Sequence, residues 1–308
     1  MDAIEKDLLM QIADLHGVPE GAYNIRANGQ SAGRKSTENI EIVPKTDGKQ
    51  GIDIYIKPNT KNESMHIPVI ISKAGWQEMV YNDFHIGENA DVVIVAGCGI
   101  HNCGGVDMTS RHDGVHTFYV GKNAKVKYVE KHYGDGDGNG ENVMNPTTVV
   151  HLEEGASLTM ETTQIKGIDS TNRVTKADMA AGSEFIVKEK LYTHGKQTAD
   201  TDFVVDINGE GCRTDIMSRS VAAGQSRQNF VSTMNGNAPC KGHTECDAII
   251  MDDASVTAAP CLSANHIDAE LIHEAAIGKI AGEQLIKLMT LGLSEKEAEE
   301  QIIKGFLH

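Results

Sequence analysis

The chain has 308 residues, 40% of them hydrophobic, and a formal net charge of −16. That length allows one or two domains with a sizeable core. The acidic balance excludes a phosphate-tracking surface, so nucleic acid is not an expected partner. No apolar run approaches the roughly 20 residues needed to cross a bilayer, and the opening Met1-Asp-Ala-Ile-Glu-Lys has no signal-peptide core. Six cysteines in such a chain are expected to be thiols rather than a disulfide frame, and the expected compartment is the cytoplasm, away from membranes.

In chain order, the first predicted element is a helix over 3–15, within an N-terminal part spanning 1–20. Ile4, Leu8, Leu9, Ile12 and Leu15 repeat at helical spacing, and Gly17 with Pro19 ends the run. From about Tyr23 to His266 the pattern changes to short β-rich runs divided by Gly, Asn and Asp. One local pattern returns there: an apolar residue, two variable ones, Gly/Asn/Asp, a small residue, one variable and another apolar residue. Its small residues Ala90, Ala124, Ala156, Ser183 and Cys212 are separated by 34, 32, 27 and 29 positions. Gly, Asn and Asp tolerate the left-handed backbone that swings a chain into its next strand. A β signal with a period near 30 predicts a solenoid of stacked coils over 21–268; a sandwich with similar hairpin turns is the alternative. Residues 134–140 (Gly-Asp-Gly-Asp-Gly-Asn-Gly) read as a solvent loop, since the spacing and terminal Glu of an EF-hand are missing.

After His266 a helical segment is expected over 269–308. Ile280, Leu285, Ile286, Leu288 and Met289 form an apolar stripe that ends at Gly292, and Ser294 with Glu297 makes a capping box for a second helix. Such helices can cap a solenoid or present a docking surface.

Chemistry concentrates in the last hundred residues. Cys240-Lys-Gly-His243-Thr-Glu245-Cys246-Asp247 packs two thiols, an imidazole and two carboxylates into eight residues, and Ile272-His273-Glu274 follows. The 27-residue interval from Cys246 to His273 matches one coil, which would stack them on neighbouring rungs about 5 Å apart. Thiolate, imidazole and carboxylate suit iron or zinc; equally, Cys246 can be a small core residue. Cys98 and Cys103, with His101 between them, form a weaker metal candidate, since no second pair completes the set. His112 and His116 lie in strand-like surroundings and read as core or surface. The phosphate-loop, nucleophile-elbow and zinc-protease motifs are all absent, so no catalytic residues are expected.

The C-terminal third carries longer motifs: Gly242-His-Thr-Glu-Cys246-Asp-Ala-Ile-Ile-Met, Glu270-Leu-Ile-His273-Glu274-Ala-Ala-Ile-Gly-Lys-Ile, and Gly292-Leu-Ser-Glu-Lys-Glu-Ala-Glu-Glu-Gln-Ile-Ile-Lys-Gly305-Phe306. In this order they resemble the SUF-system scaffold family of SufB and SufD, over about residues 90–308. The resemblance implies an all-β dominated fold, a right-handed parallel β-helix with short N-terminal and C-terminal helical parts. It also implies pairing of two scaffolds, and docking of the ABC-type ATPase SufC on the C-terminal helices. ATP-driven SufC dimerisation would then expose a cluster-building site at the scaffold interface. Carried over by residue, the SufB-type cluster cysteine matches Cys246, the carboxylate Glu274, and the interface histidine shared with SufD His273. The chain lacks the long N-terminal extension of bacterial SufB. It resembles the short scaffolds of two-gene systems that pair one scaffold with one ATPase, and carrying both Cys246 and His273 it could serve both roles as a homodimer; a paralogous scaffold is the other possible partner.

Three functions are therefore weighed. The first is a non-enzymatic scaffold for a transient iron–sulfur cluster, served by a SufC-like ATPase and a sulfur donor protein. The second is a structural adaptor of such a complex, without its own cluster site. The third is a carbohydrate-active β-helix enzyme with paired carboxylates, which the scarcity of aromatics for sugar platforms disfavours.

Overall fold

Inward-facing apolar residues and left-handed turn residues recur together, and they wind the chain into stacked coils. The computed structural model describes residues 2–307. About eight turns form a β-solenoid with two facing sheets. Along the first sheet run Lys61–Ile71, Asp91–His101, Lys125–Asp135, Ser157–Gln164, Glu184–Thr193, Cys212–Ala222, Cys240–Ile250 and Ala269–Gly278. The second holds Gly51–Ile56, Gln77–Ile86, Ser110–Val120, Thr147–Leu152, Ser170–Met179, Thr198–Ile207, Arg227–Gly236 and Ser255–Ala264. Neighbouring coils pair in parallel. Antiparallel partners Gln30–Lys35 and Ile40–Pro44 extend the two sheets at the N-terminal end.

The recurring small residues form one buried column. Ala90, Ala124, Ala156, Ser183 and Cys212 are all at most 2% exposed, and only a small side chain fits where each coil turns inward. The residue before each has positive φ: Asn89 56°, Asn123 55°, Gly155 68°, Gly182 66° and Gly211 75°, the backbone that Gly and Asn adopt most cheaply. Between the sheets, side chains stack on their counterparts one coil away. Phe84 lies on Phe118 with centroids 4.4 Å apart, both fully buried, each worth about 2 kcal/mol of transfer free energy.

Helix α1 (Ala3–Ala13) starts on a capping box between Asp2 and Glu5 and ends at Asp14, whose φ of 52° is left-handed. It is therefore two residues shorter than the apolar periodicity suggests. Its buried Leu8 and Ile12 pack on the outside of the first sheet. Gly97 and Gly99 make room there: a Cβ on Gly97 would stand 2.9 Å from the Ile12 Cβ, and one on Gly99 3.1 Å from the Leu8 Cβ.

At the other end the expected helical segment begins late. Ala269–Gly278 is a strand in register with Cys240–Ile250, because Ala269, Leu271 and His273 alternate inward with period two. Helices α2 (Gly282–Thr290) and α3 (Glu295–Leu307) follow. Ser294 and Glu297 close the box at the start of α3, through Ser294 N–H to Glu297 Oε2 at 2.8 Å and Glu297 N–H to Ser294 Oγ at 3.3 Å. The last coil, Ser255–Ala264 with Ala269–Gly278, has a neighbouring coil on one side only.

The 134–140 segment is not a free solvent loop. Its backbone lies against residues 102–104, with Gly138 N–H donating to Asn102 O at 3.2 Å and Asn139 N–H to Gly104 O at 2.9 Å. Gly136 has φ 120°, and a Cβ there would come 2.1 Å from Asn102 O. Its glycines allow this backbone-to-backbone approach.

Candidate functional site

Strand alternation decides which candidate side chains share a face. Cys246 points into the solenoid, 1% exposed, in register with Ser218 on one side and Ala275 on the other. Burial pushes its thiol up to about 12, and the Glu189 and Asp247 carboxylates add to the shift. His273 is in register with Thr244, so it shares the inner face with Cys246. The coil offset here is 29 residues, not 27, which places His273 diagonally from the thiol rather than directly over it. The His273 Nδ1 is buried without a hydrogen-bond partner.

Glu274 is in register with Glu245 on the outer face, so the backbone layer of the sheet separates it from Cys246. Outside, Glu274 Oε2 stands 3.9 Å from His243 Nε2, and His243 Nδ1 bonds Asp215 Oδ1 at 2.9 Å. Burial and the neighbouring Asp247 raise the Glu245 carboxyl. The three predicted ligands thus lie on one pair of strands but on two faces. Among the described residues, no three His, Cys, Asp or Glu side chains converge as a metal ion would require.

All six cysteines are free thiols. Cys98 and Cys103 do not form a ligand pair. Cys98 is fully buried among Gly97, His112 and His132, with burial raising its thiol well above the ordinary value. Cys103 lies beyond the strand end and is exposed. Its sulfur is 2.9 Å from His101 Nε2, and His101 Nδ1 is 2.7 Å from Asp135 Oδ1. Asp135 follows His101 by the same 34 residues that separate Ala90 from Ala124, so the coil period was a usable signal for this contact.

The solenoid interior also holds a polar row that sequence reasoning missed. Glu78 bonds His112 at 3.1 Å, Asn82 bonds His116 at 3.2 Å, and the Tyr128 hydroxyl joins His116 to Glu130 at 2.7 and 2.9 Å. Arg173 bridges Glu130 at 2.9 Å and Glu189 at 3.3 Å, and the Ser218 hydroxyl donates to Glu189 at 2.8 Å. Ser218 is the register neighbour of Cys246. Burial opposes ionisation of Glu130, but His132, Arg173 and His116 outweigh it and hold the carboxyl well below its usual range.

The C-terminal coils and helices also carry the kinship. The family described as "SUF system FeS cluster assembly, SufBD core domain" matches residues 71–306. An iron–sulfur cluster assembly SufBD family protein of Methanocaldococcus jannaschii is 29% identical over 264 residues, 85% of this chain and 82% of the relative. Its counterpart in Archaeoglobus fulgidus is 27% identical over 279 residues, 89% and 72% of the two chains. One from Pyrococcus horikoshii is 29% identical over 263 residues, 83% and 77%. The family match runs from Ile71 through α2 and nearly all of α3, and with the parallel β-solenoid it settles the kinship: the chain belongs to the SufB/SufD family of iron–sulfur cluster assembly proteins.

Proposed function

We propose that the chain is a cytoplasmic scaffold, without catalysis of its own, on which an iron–sulfur cluster is built and then passed on. The observation that carries this reading is the position of Cys246, His273 and Glu274 in the last two coils, beside strand edges that pair with no other strand among the described residues. One chain leaves the ligand set incomplete, and the open edges suit a second copy or a paralogous scaffold. Two such ends brought together would supply thiolate, imidazole and carboxylate ligands from both subunits, and a SufC-like ABC ATPase would drive the rearrangement that lets the buried thiol reach iron. The exposed Ile286 and Met289 of α2, with Leu291 just after it, are the proposed ATPase contact.

Sulfur has to enter elsewhere. Cys246 is buried and its thiol is pushed up to about 12, which suits neither contact with a donor protein nor attack on sulfane sulfur. Cys103 is exposed beside an imidazole and is the proposed entry thiol. Anaerobic iron–sulfide reconstitution, read by visible absorption, tests the ligand assignment. Cys246→Ser keeps the size but removes the soft ligand, and should lose most of the cluster per dimer. Cys98→Ser and Cys103→Ser should lose less, because sulfide bypasses the entry step. Wild-type cluster content in a normally folded Cys246→Ser variant would refute the site and favour a structural adaptor.

A further inference from the structure

The side chains around Cys103 form a constellation that no cluster ligand requires. His101 is the last residue of its strand, and its ring lies between two partners: Nδ1 at 2.7 Å from Asp135 Oδ1, Nε2 at 2.9 Å from the Cys103 sulfur. The backbone on either side of Cys103 is fixed by Asn102, which is 2% exposed. Asn102 Nδ2 donates to Met108 O at 2.8 Å and Glu141 O at 3.2 Å, and its Oδ1 accepts from Gly104 N–H at 2.9 Å. A nucleophile, a base within hydrogen-bond reach and a carboxylate orienting the base make up the arrangement that activates thiols. The charged groups facing the sulfur come from two segments. His101 is on its own strand, while Asp135 and Asp137 come from the glycine-rich segment. The Asp137 carboxylate beside it raises the Cys103 thiol above its ordinary value. The sulfur thus has one basic side chain, His101, within hydrogen-bond reach.

We propose that His101 is the general base for Cys103 and that Asp135 is the positioning residue that orients His101. The substrate class is a persulfide, which rests on the sulfur-entry reading above. His101 Nε2 takes the thiol proton, and the Cys103 sulfur attacks the terminal sulfur of the donor R–S–SH. A new S–S bond forms on Cys103 as the donor S–S bond breaks. The leaving R–S⁻ takes the proton back from His101. Sulfane sulfur changes carrier, nothing is oxidised or reduced overall, and no further reactant is needed.

The test is site-resolved alkylation of the full-length chain by iodoacetamide, with peptide mass spectrometry from pH 5 to 10. Cys261, the other exposed thiol, serves as reference in the same molecule, and buried Cys98 reports any unfolding. His101→Gln should slow Cys103 at pH 7 by about tenfold or more and move the rise of its rate profile to higher pH, leaving Cys261 unchanged. Asp135→Asn should give a smaller loss, whereas Asp137→Asn should speed the reaction. A Cys103 rate and pH profile in His101→Gln that match the wild type would overturn the proposal. A separate arm exposes the wild type to glutathione persulfide. If Cys103 takes no sulfane sulfur while its alkylation still depends on His101, the base assignment stands and the sulfur-entry reading falls.

Discussion

His116 shows what the solenoid interior asks of a single side chain. It is buried, and burial pulls its imidazole down to about 4; Glu130 opposes the shift, while His112, His132 and Arg173 add to it. The folded chain therefore keeps His116 neutral where an unfolded chain, with an ordinary value near 6.5, takes up a proton. Unfolding binds the extra proton between those two values, so stability falls as pH drops from about 6.5 to 4, by roughly 3 kcal/mol from this residue. Glu130 has the opposite charge but acts in the same direction. Its folded value is depressed, so its contribution is present above about 4.5 and is lost only as pH falls further, through that depressed value. Urea unfolding measured at intervals from pH 7 to 4 should show the decline, and His116→Gln should flatten it. Parallel stability curves for the two proteins would show that the interior titrates otherwise. None of this row was legible in the sequence. Glu78, His112, Glu130, Arg173 and Glu189 are spread over three coils, and the four besides His112 look like ordinary surface charges until the register is known. Cys246 and His273 were legible as neighbours because the coil length is nearly constant. Glu274 faces away from Cys246 whether the coil offset is 27 or 29, because it is next to His273 and neighbouring strand residues alternate; reading 269–308 as helical concealed this.

Among the elements, the two ends of the chain behave differently. Helix α1 is sealed onto the sheet by Leu8, Leu9 and Ile12, all at most 2% exposed. Helix α2 buries no residue, and α3 buries only Ala298. Tertiary packing supplies most helical stability in proteins, and α2 leaves Ile286 and Met289 exposed, so under the proposed docking these are the residues a partner would cover. Deleting Glu283–His308 should abolish binding of the ABC ATPase while the far-ultraviolet circular dichroism of the β-solenoid persists. Retained pull-down of the ATPase by the shortened chain would remove α2 and α3 as the docking surface. The helices themselves were readable from their caps and stripes. The strand before them was not, because Glu270–Lys279 mixes Ala, Leu and Glu, which favour helices over strands, with only Ile favouring strands. Pairing with Cys240–Ile250 overrides that propensity.

At the scale of the whole molecule, the solenoid is asymmetric: hairpins and α1 finish one end, while the other stops on two ten-residue strands, each with one edge unpaired. Exposed edges of that length pair with other chains unless something covers them. Light scattering at micromolar concentration should therefore give the mass of a dimer, more so in salt that screens the charge of −16 on each chain. A monomer under these conditions, with and without the ATPase, would count against edge pairing. The same unfinished end has a dynamic consequence. In a stacked array each coil is held mainly by its nearest neighbours, so a coil with one neighbour opens more readily than the rest, and its amides should exchange with solvent first. His273 and Glu274 ride on that loosest coil. Joining two chains there would do more than gather ligands: it would convert the most pliable stretch of each subunit into an interior one, so that binding iron and stiffening the scaffold become a single thermodynamic event.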